Sequence, residues 1–171
     1  LFSEDYVLMY GKPVFETYIY GYRLQVLHAL RPGEVGGLRK SDCVGDVVHI
    51  QRSINTYGQE TQGKNDNAVR SIVLSDLAKV CWDKQAALSD DDQMFPDFDG
   101  SKYRKHLISY CKQHHISQIS PYELRHTSIS IMQTLPEGLV KAVGGHSRSM
   151  DTFGVYGHEV QGDKTLTAQL L

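Results

Sequence analysis

The chain has little of what would place it at once in a specialised class. Three cysteines, Cys43, Cys81 and Cys111, lie dozens of residues apart without a C-x-x-C pair. That spacing excludes a disulfide framework and a zinc knuckle and points to a reducing, cytoplasmic setting. No apolar run approaches the ~20 residues of a membrane span, so no membrane partner is expected. Lys and Arg total 18 against 20 Asp and Glu, a net charge of −2, and this composition does not by itself announce a nucleic-acid binder. Internal repeats and low-complexity tracts are missing, and 171 residues suffice for one hydrophobic core but not two, which excludes a multidomain enzyme. The chain opens at Leu1 without a basic and then apolar leader, and it reads as an excised domain.

What is present is unevenly spread. Residues 101–150 hold seven Lys and Arg but only Glu123 and Glu137, together with five of the eight His, so this segment can face an anion. Ser3-Glu4-Asp5 suggests a helix start, and the Gly11-Lys12-Pro13 break a second helix running to about His28. Arg31 to Leu38, with Pro near the first turn and Gly at the far end, predicts a short helix. The β-branched runs 46–54 and 68–74, joined by a polar, glycine-bearing stretch with Lys64 near its tip, predict a small antiparallel sheet of about three strands. Helices follow from Ser75, over 101–115, from Ser120-Pro121, from Pro136 to Gly144-Gly145, and from about Ser149 to Tyr156. Leu124, Ser128, Ile131, Met132 and Leu135 form the expected buried stripe of the Ser120 helix, with Tyr122 and Arg125 off it. Trp82 and Tyr6, Tyr10, Tyr18, Tyr20 and Tyr22 are core or interface candidates. The expected fold class is α+β, mainly helical with one small antiparallel sheet.

The polar residues outside the apolar stripes share one property. Arg31 opens a helix, Lys64 tips a hairpin, Arg125 stands near a helix N-terminus, and His146 follows a Gly-Gly turn, so all four can meet a phosphate. Their local sequences form an ordered set. ALRPGEVGGLRKSD, with Arg31, Glu34, Leu38 and Asp42, resembles the first motif of the tyrosine recombinases, or phage integrases. GKNDNAVRSIVL resembles the hairpin of that family, with Lys64, Arg70 and Leu74 at the expected offsets. SPYELRHT is similar to the H-x-x-R-H-T box at Arg125 and His126, and GGHSRSMDTFGVYGH to the final box, with His146 preceding Tyr156. The final-box spacing is like that of integrases of Gram-positive phages and conjugative transposons. Two positions depart from the pattern: Tyr122 stands where the family has His, and Gly144 where it has Leu.

The tail, residues 157–171, carries an amphipathic stretch with Leu166, Leu170 and Leu171 that could dock on a neighbouring protomer; the resemblance implies a single catalytic domain over residues 1–171, without the upstream core-binding domain. It implies site-specific strand exchange on double-stranded DNA by a homo-oligomer, a tetramer in the family. Tyr156 would attack a phosphodiester, form a 3′-phosphotyrosyl bond and release a 5′-hydroxyl, conserving bond energy without ATP. Arg31 and Arg125 would stabilise the phosphorane in place of a metal ion, Lys64 would protonate the leaving oxygen, and His146 and Tyr122 would donate to phosphate oxygens. No cofactor is implied. Ionising a tyrosine of pKa ~10 at pH 7 costs about 4 kcal/mol, which two planar guanidinium forks can offset. A phenol at position 122 is a donor at neutral pH, so the proton of Tyr156 would leave by another route.

Glu34 and His126 are read as supports for their neighbours rather than as chemical groups. Arg70 and Arg148, which flank motif residues, are the expected DNA contacts, with Arg39, Lys40, Lys102 and Arg104 as further backbone candidates. His106, His114 and His115 lack nearby zinc-type ligands and read as a solvated helix end. Two alternatives stay open: a type IB topoisomerase, which shares the active-site logic but reseals the same strand, and a DNA-binding module that keeps the fold without catalysis.

Overall fold

The computed structural model of the chain describes residues 1–62 and 69–145. Its elements run β1 Tyr6–Met9, β2 Lys12–Phe15, α1 Ile19–His28, α2 Pro32–Gly36, β3 Cys43–Val44, β4 Val47–Ile50, β5 Ser53–Ile54, β6 Glu60–Thr61, β7 Arg70–Val73, α3 Asp76–Leu88, α4 Gly100–Gln113, α5 Pro121–Ile131 and α6 Glu137–Gly144. Strands β3, β4 and β7 form a three-stranded antiparallel sheet whose third strand, Cys43–Val44, precedes the expected run, and the 46–54 run is split, β5 pairing with β6 in a separate ribbon, so the described residues hold more than the one sheet expected. The α+β class therefore stands.

The amino terminus differs from the sequence expectation. Residues from Ser3 onward form no helix; β1 and β2 make a hairpin in which Met9 faces Lys12 across a two-residue loop. Tyr10 and Gly11 both take positive φ, 51° and 75°, the geometry of a type I′ turn that matches the twist of a two-stranded ribbon. A helix confined between Ser3 and Gly11 would be too short to repay its nucleation, whereas the Tyr-Gly turn closes a ladder at once. Pro13 is tolerated because β2 pairs only with β1 and is an edge strand. The second helix accordingly begins at Ile19 rather than after Pro13.

Helix α1 is the axis of the molecule, with Ile19, Tyr22, Leu24 and Gln25 essentially inaccessible and α3 and α5 packed against it. A Cβ on Gly21 would come within 3.0 Å of both Phe95 and Val35, so this close approach requires glycine. Tyr18, Tyr20, Tyr22 and Trp82 are buried as expected, while Tyr10 is fully exposed at the hairpin tip. The tyrosine-rich interior is satisfied by a chain of polar contacts. Tyr22 donates to the Tyr103 carbonyl at 2.9 Å, Tyr103 to Gln25 Oε1 at 2.9 Å, and Gln25 Nε2 to the Pro121 carbonyl at 2.7 Å. The last of these ties α1 to the first turn of α5.

Helix α5 starts as its sequence dictates. Ser120 is the N-cap, Pro121 occupies the first helical position, and the Glu123 carboxylate accepts from the Ser120 N–H at 2.5 Å. Its buried stripe departs from the expectation. Leu124, Ser128 and Ile129 are buried, whereas Ile131 and Leu135 are exposed, because α5 ends at Ile131 and a tight turn at Met132–Thr134 redirects the chain. Arg125 lies within the buried face.

Candidate nucleic-acid cleavage site

Three guanidinium groups from separate elements converge on the carboxyl end of α6. Arg70 Nε donates to the Val143 carbonyl at 2.7 Å, Arg125 Nη2 to Gly144 at 2.6 Å, and Arg31 Nη2 to Gly145 at 2.9 Å. These successive carbonyls belong to the last turn and cap of α6, where helix carbonyls lack intrahelical partners and the dipole favours cations. Gly145 closes the helix with φ of 63°, a left-handed cap suited to glycine.

Each arginine is positioned by its own element. Arg31 is the N-cap residue of α2, whose Pro32 and Glu34 lie in the first turn; Glu34 accepts from the Arg31 backbone N–H at 2.8 Å and from Arg31 Nη1 at 2.8 Å. Arg125 also donates to the carbonyl of Ala29, the left-handed residue that ends α1, so α1, α5 and α6 are joined at one guanidinium. Arg70 grips the Glu34 carboxylate with two parallel bonds of 2.9 Å. Burial pushes the Glu34 carboxyl up, but the hydrogen bonds and charge of Arg70, helped by Arg31, outweigh it and hold the group below the usual carboxylate range.

The arginines differ in access. The Arg31 side chain is 31% exposed, against 7% for Arg70 and 3% for Glu34. Among the described residues two of the five N–H donors of Arg31 are engaged, by Glu34 and Gly145, and the remainder can meet an incoming oxyanion. Tyr122 stands 59% exposed on the first turn of α5. His126 is half-buried. Lys64, His146, Arg148 and Tyr156, with the expected last helix and the 157–171 tail, lie outside the described residues.

Arg70 faces inward and serves Glu34 and Val143 rather than projecting from the surface, because strand alternation places it on the face of buried Ile72. Arg39 pairs with Glu60 at 2.8 Å, and Lys40 Nζ donates to the Ser89 carbonyl at 2.5 Å. Asp42 has a structural task, binding Arg52 Nη1 through both oxygens at 2.8 and 2.7 Å and so tying the β4–β5 segment to the end of the first motif. On α4 the side chains of Lys102, Arg104, Lys105 and Lys112 remain exposed. The histidines group no ligand set: His106 meets Glu16 at 3.1 Å, His114 bonds the Tyr6 carbonyl at 2.7 Å, and among the described residues no three His, Cys, Asp or Glu gather around a metal position. Nor is any described helix long and apolar enough to cross a membrane.

One residue escaped the sequence reading. His28, the last residue of α1 and next to Ala29, is buried, its Nε2 has no partner among the described residues, and desolvation lowers its pKa to about 4. The imidazole is neutral at physiological pH.

No protein-family model matches the sequence, and no curated protein does. Solved structures do match. The Tn1549 transposon integrase in complex with transposon right end DNA superposes with a TM-score of 0.73 at 17% identity over 94% of this chain. The chain has the catalytic-domain fold of the tyrosine recombinases. It spans 61% of that integrase chain, about three fifths of its length. The XerA recombinase gives 0.69 at 19% identity over 90% of this chain and 58% of its own. XerH, a site-specific recombinase solved bound to a palindromic difH substrate after cleavage, gives 0.61 at 15% identity over 90% of this chain and 46% of its own.

Proposed function

We propose that this chain is the catalytic domain of a site-specific DNA recombinase that cleaves and rejoins a phosphodiester through a 3′-phosphotyrosyl intermediate. The observation that carries the proposal is the meeting of Arg31 and Arg125 at adjacent carbonyls, Gly145 and Gly144, directly before His146. Arg31 and Arg125, distant in sequence, are thereby gathered where one phosphate could meet both.

In this reading the Tyr156 oxygen attacks phosphorus while the 5′-oxygen departs. The negative charge that grows on the non-bridging oxygens is met by Arg31 and Arg125, whose planar forks fix the phosphate for in-line attack as well as stabilising it. One such donor is worth about 10²–10³ in rate, or ~3–4 kcal/mol, so two can offset the ~4 kcal/mol needed to ionise the phenol. Lys64 delivers a proton to the leaving oxygen, and His146 and Tyr122 donate to phosphate oxygens. The released 5′-hydroxyl of a partner strand then attacks the phosphotyrosine, and the enzyme is regenerated without an external energy source. Exposed Lys102, Arg104, Lys105 and Lys112 on α4 supply backbone attraction that a net charge of −2 would not suggest. Assembly of copies on paired duplexes, a tetramer as in the resembled family, belongs to the same proposal.

The test is a covalent trap. Incubation with a pool of nicked duplexes of randomised sequence should yield an adduct that survives SDS and disappears in Tyr156→Phe. An adduct-free chain that still binds duplex would support a binding module instead, and relaxation of arbitrary supercoiled plasmid by monomer would support a topoisomerase.

A further inference from the structure

A buried guanidinium is costly unless its donors are met, so an arginine on the inward face of a strand needs a reason. Along β7 the period of two places Arg70 with Ile72, on the face opposite the exposed Ser71 and Val73. The register sets Arg70 across from Ile50, itself 2% exposed. Its terminal nitrogens bind both oxygens of Glu34, and its Nε binds the Val143 carbonyl. Glu34 binds Arg31 at the backbone N–H and at the guanidinium. Among the described residues Arg31 would otherwise be the one cation facing that carboxylate, and Glu34 would compete with an incoming phosphate for it. With Arg70 in place the carboxylate is shared, so Arg31 is held in orientation and keeps donors for the substrate.

We infer that Arg70 is a positioning residue of the cleavage site, fixing the guanidinium of Arg31 through Glu34 and the end of α6, three residues before His146, through Val143. This rests on the recombinase reading above. Lysine could replace the charge but not the parallel two-point bond together with the Nε arm, so an arginine is required for the full effect.

A duplex recovered from the covalent trap provides the substrate. Two quantities are measured: single-turnover cleavage at saturating DNA, and the DNA dissociation constant in a Tyr156→Phe background, both well below the melting transition of every variant. Arg70→Met is expected to slow cleavage at saturation by about 10²-fold while changing the dissociation constant less than about threefold. Arg70→Lys should recover part of the rate, and adding Glu34→Gln to Arg70→Met should slow it little further, because the two side chains act as one unit. If Arg70→Met cleaves at the unaltered rate once saturated and only binds DNA more weakly, Arg70 is a DNA contact and the inference is overturned. Rate losses that multiply in the double variant overturn the route through Glu34. Should Arg70→Met not fold by circular dichroism, Arg70→Lys and Glu34→Asp carry the comparison: slower cleavage at unchanged affinity supports the role, and unaltered rates overturn it. An unaltered chain that yields no adduct refutes the recombinase reading and this role with it. An active unaltered chain beside an unimpaired Arg70 variant removes this role alone.

Discussion

Arg31 and Arg125 donate to neighbouring carbonyls, those of Gly145 and Gly144, although one caps a helix near the start of the chain and the other lies on a helix near its end. Their meeting turns α6 into a ruler: its last turn sets the distance between two cations. The same turn receives Arg70, so an internal ligand set of three backbone oxygens holds the cations together before any phosphate arrives.

Substituting either outer arginine should therefore show in chemistry, and substituting the buried one should show in folding as well. Arg31→Lys is expected to reduce single-turnover cleavage of the trapped duplex by about 10²–10³-fold, since a point charge replaces a two-point fork. Its thermal transition should stay near that of the unaltered chain, because Arg31 is partly exposed. Arg125→Lys should lose both, since that guanidinium joins the Ala29 and Gly144 carbonyls in a buried position. Melting curves beside rapid-quench cleavage distinguish the two.

His28 makes stability depend on acidity. Its folded pKa, about 4, lies below the ordinary value of 6.5, so the unfolded chain binds the extra proton first as pH falls. Its contribution to stability is intact above pH 6.5 and is lost progressively toward pH 4, by about 2 kcal/mol between pH 7 and 5. Urea denaturation at the two pH values checks the slope, and His28→Phe should flatten it. An equally steep slope in the variant would remove His28 as the cause.

The link from α1 to α5 can be cut at one atom pair. Gln25→Leu leaves the Pro121 carbonyl without its 2.7 Å donor and Tyr103 without its acceptor, both in the interior. A loss of about 2–4 kcal/mol in unfolding free energy is expected from two stranded polar groups, measured by denaturant titration.

The amino-terminal hairpin offers a stabilising change. Tyr10 carries a positive φ that disfavours a bulky side chain, and asparagine before glycine suits a type I′ turn. Tyr10→Asn should raise stability by up to about 1 kcal/mol, while Gly11→Val should lower it by at least as much. Both are read from the thermal transition.

The sequence determined what depends on near neighbours. The caps at Ser75, Asp99 and Ser120, proline at the first position of α2 and α5, and the alternation of β4 and β7 all act within a few residues, and helix and strand positions followed from them. The first three motifs likewise placed Arg31, Glu34, Arg70 and Arg125 in order along the chain. Tertiary structure decided the rest. Ser3-Glu4-Asp5 carries a helix-cap pattern, yet cross-strand pairing of Tyr6 with Phe15 through Met9 with Lys12 prevails, because hairpin closure satisfies backbone groups that so short a helix would leave open. Arg70 resembled a surface contact beside a motif; its inward alternation with Ile72 was legible, but its meaning required Glu34 and Val143, which reach it from elsewhere in the fold. Burial of a charge is stable only when a partner is brought to it, and the chain's path, not its local pattern, brings that partner.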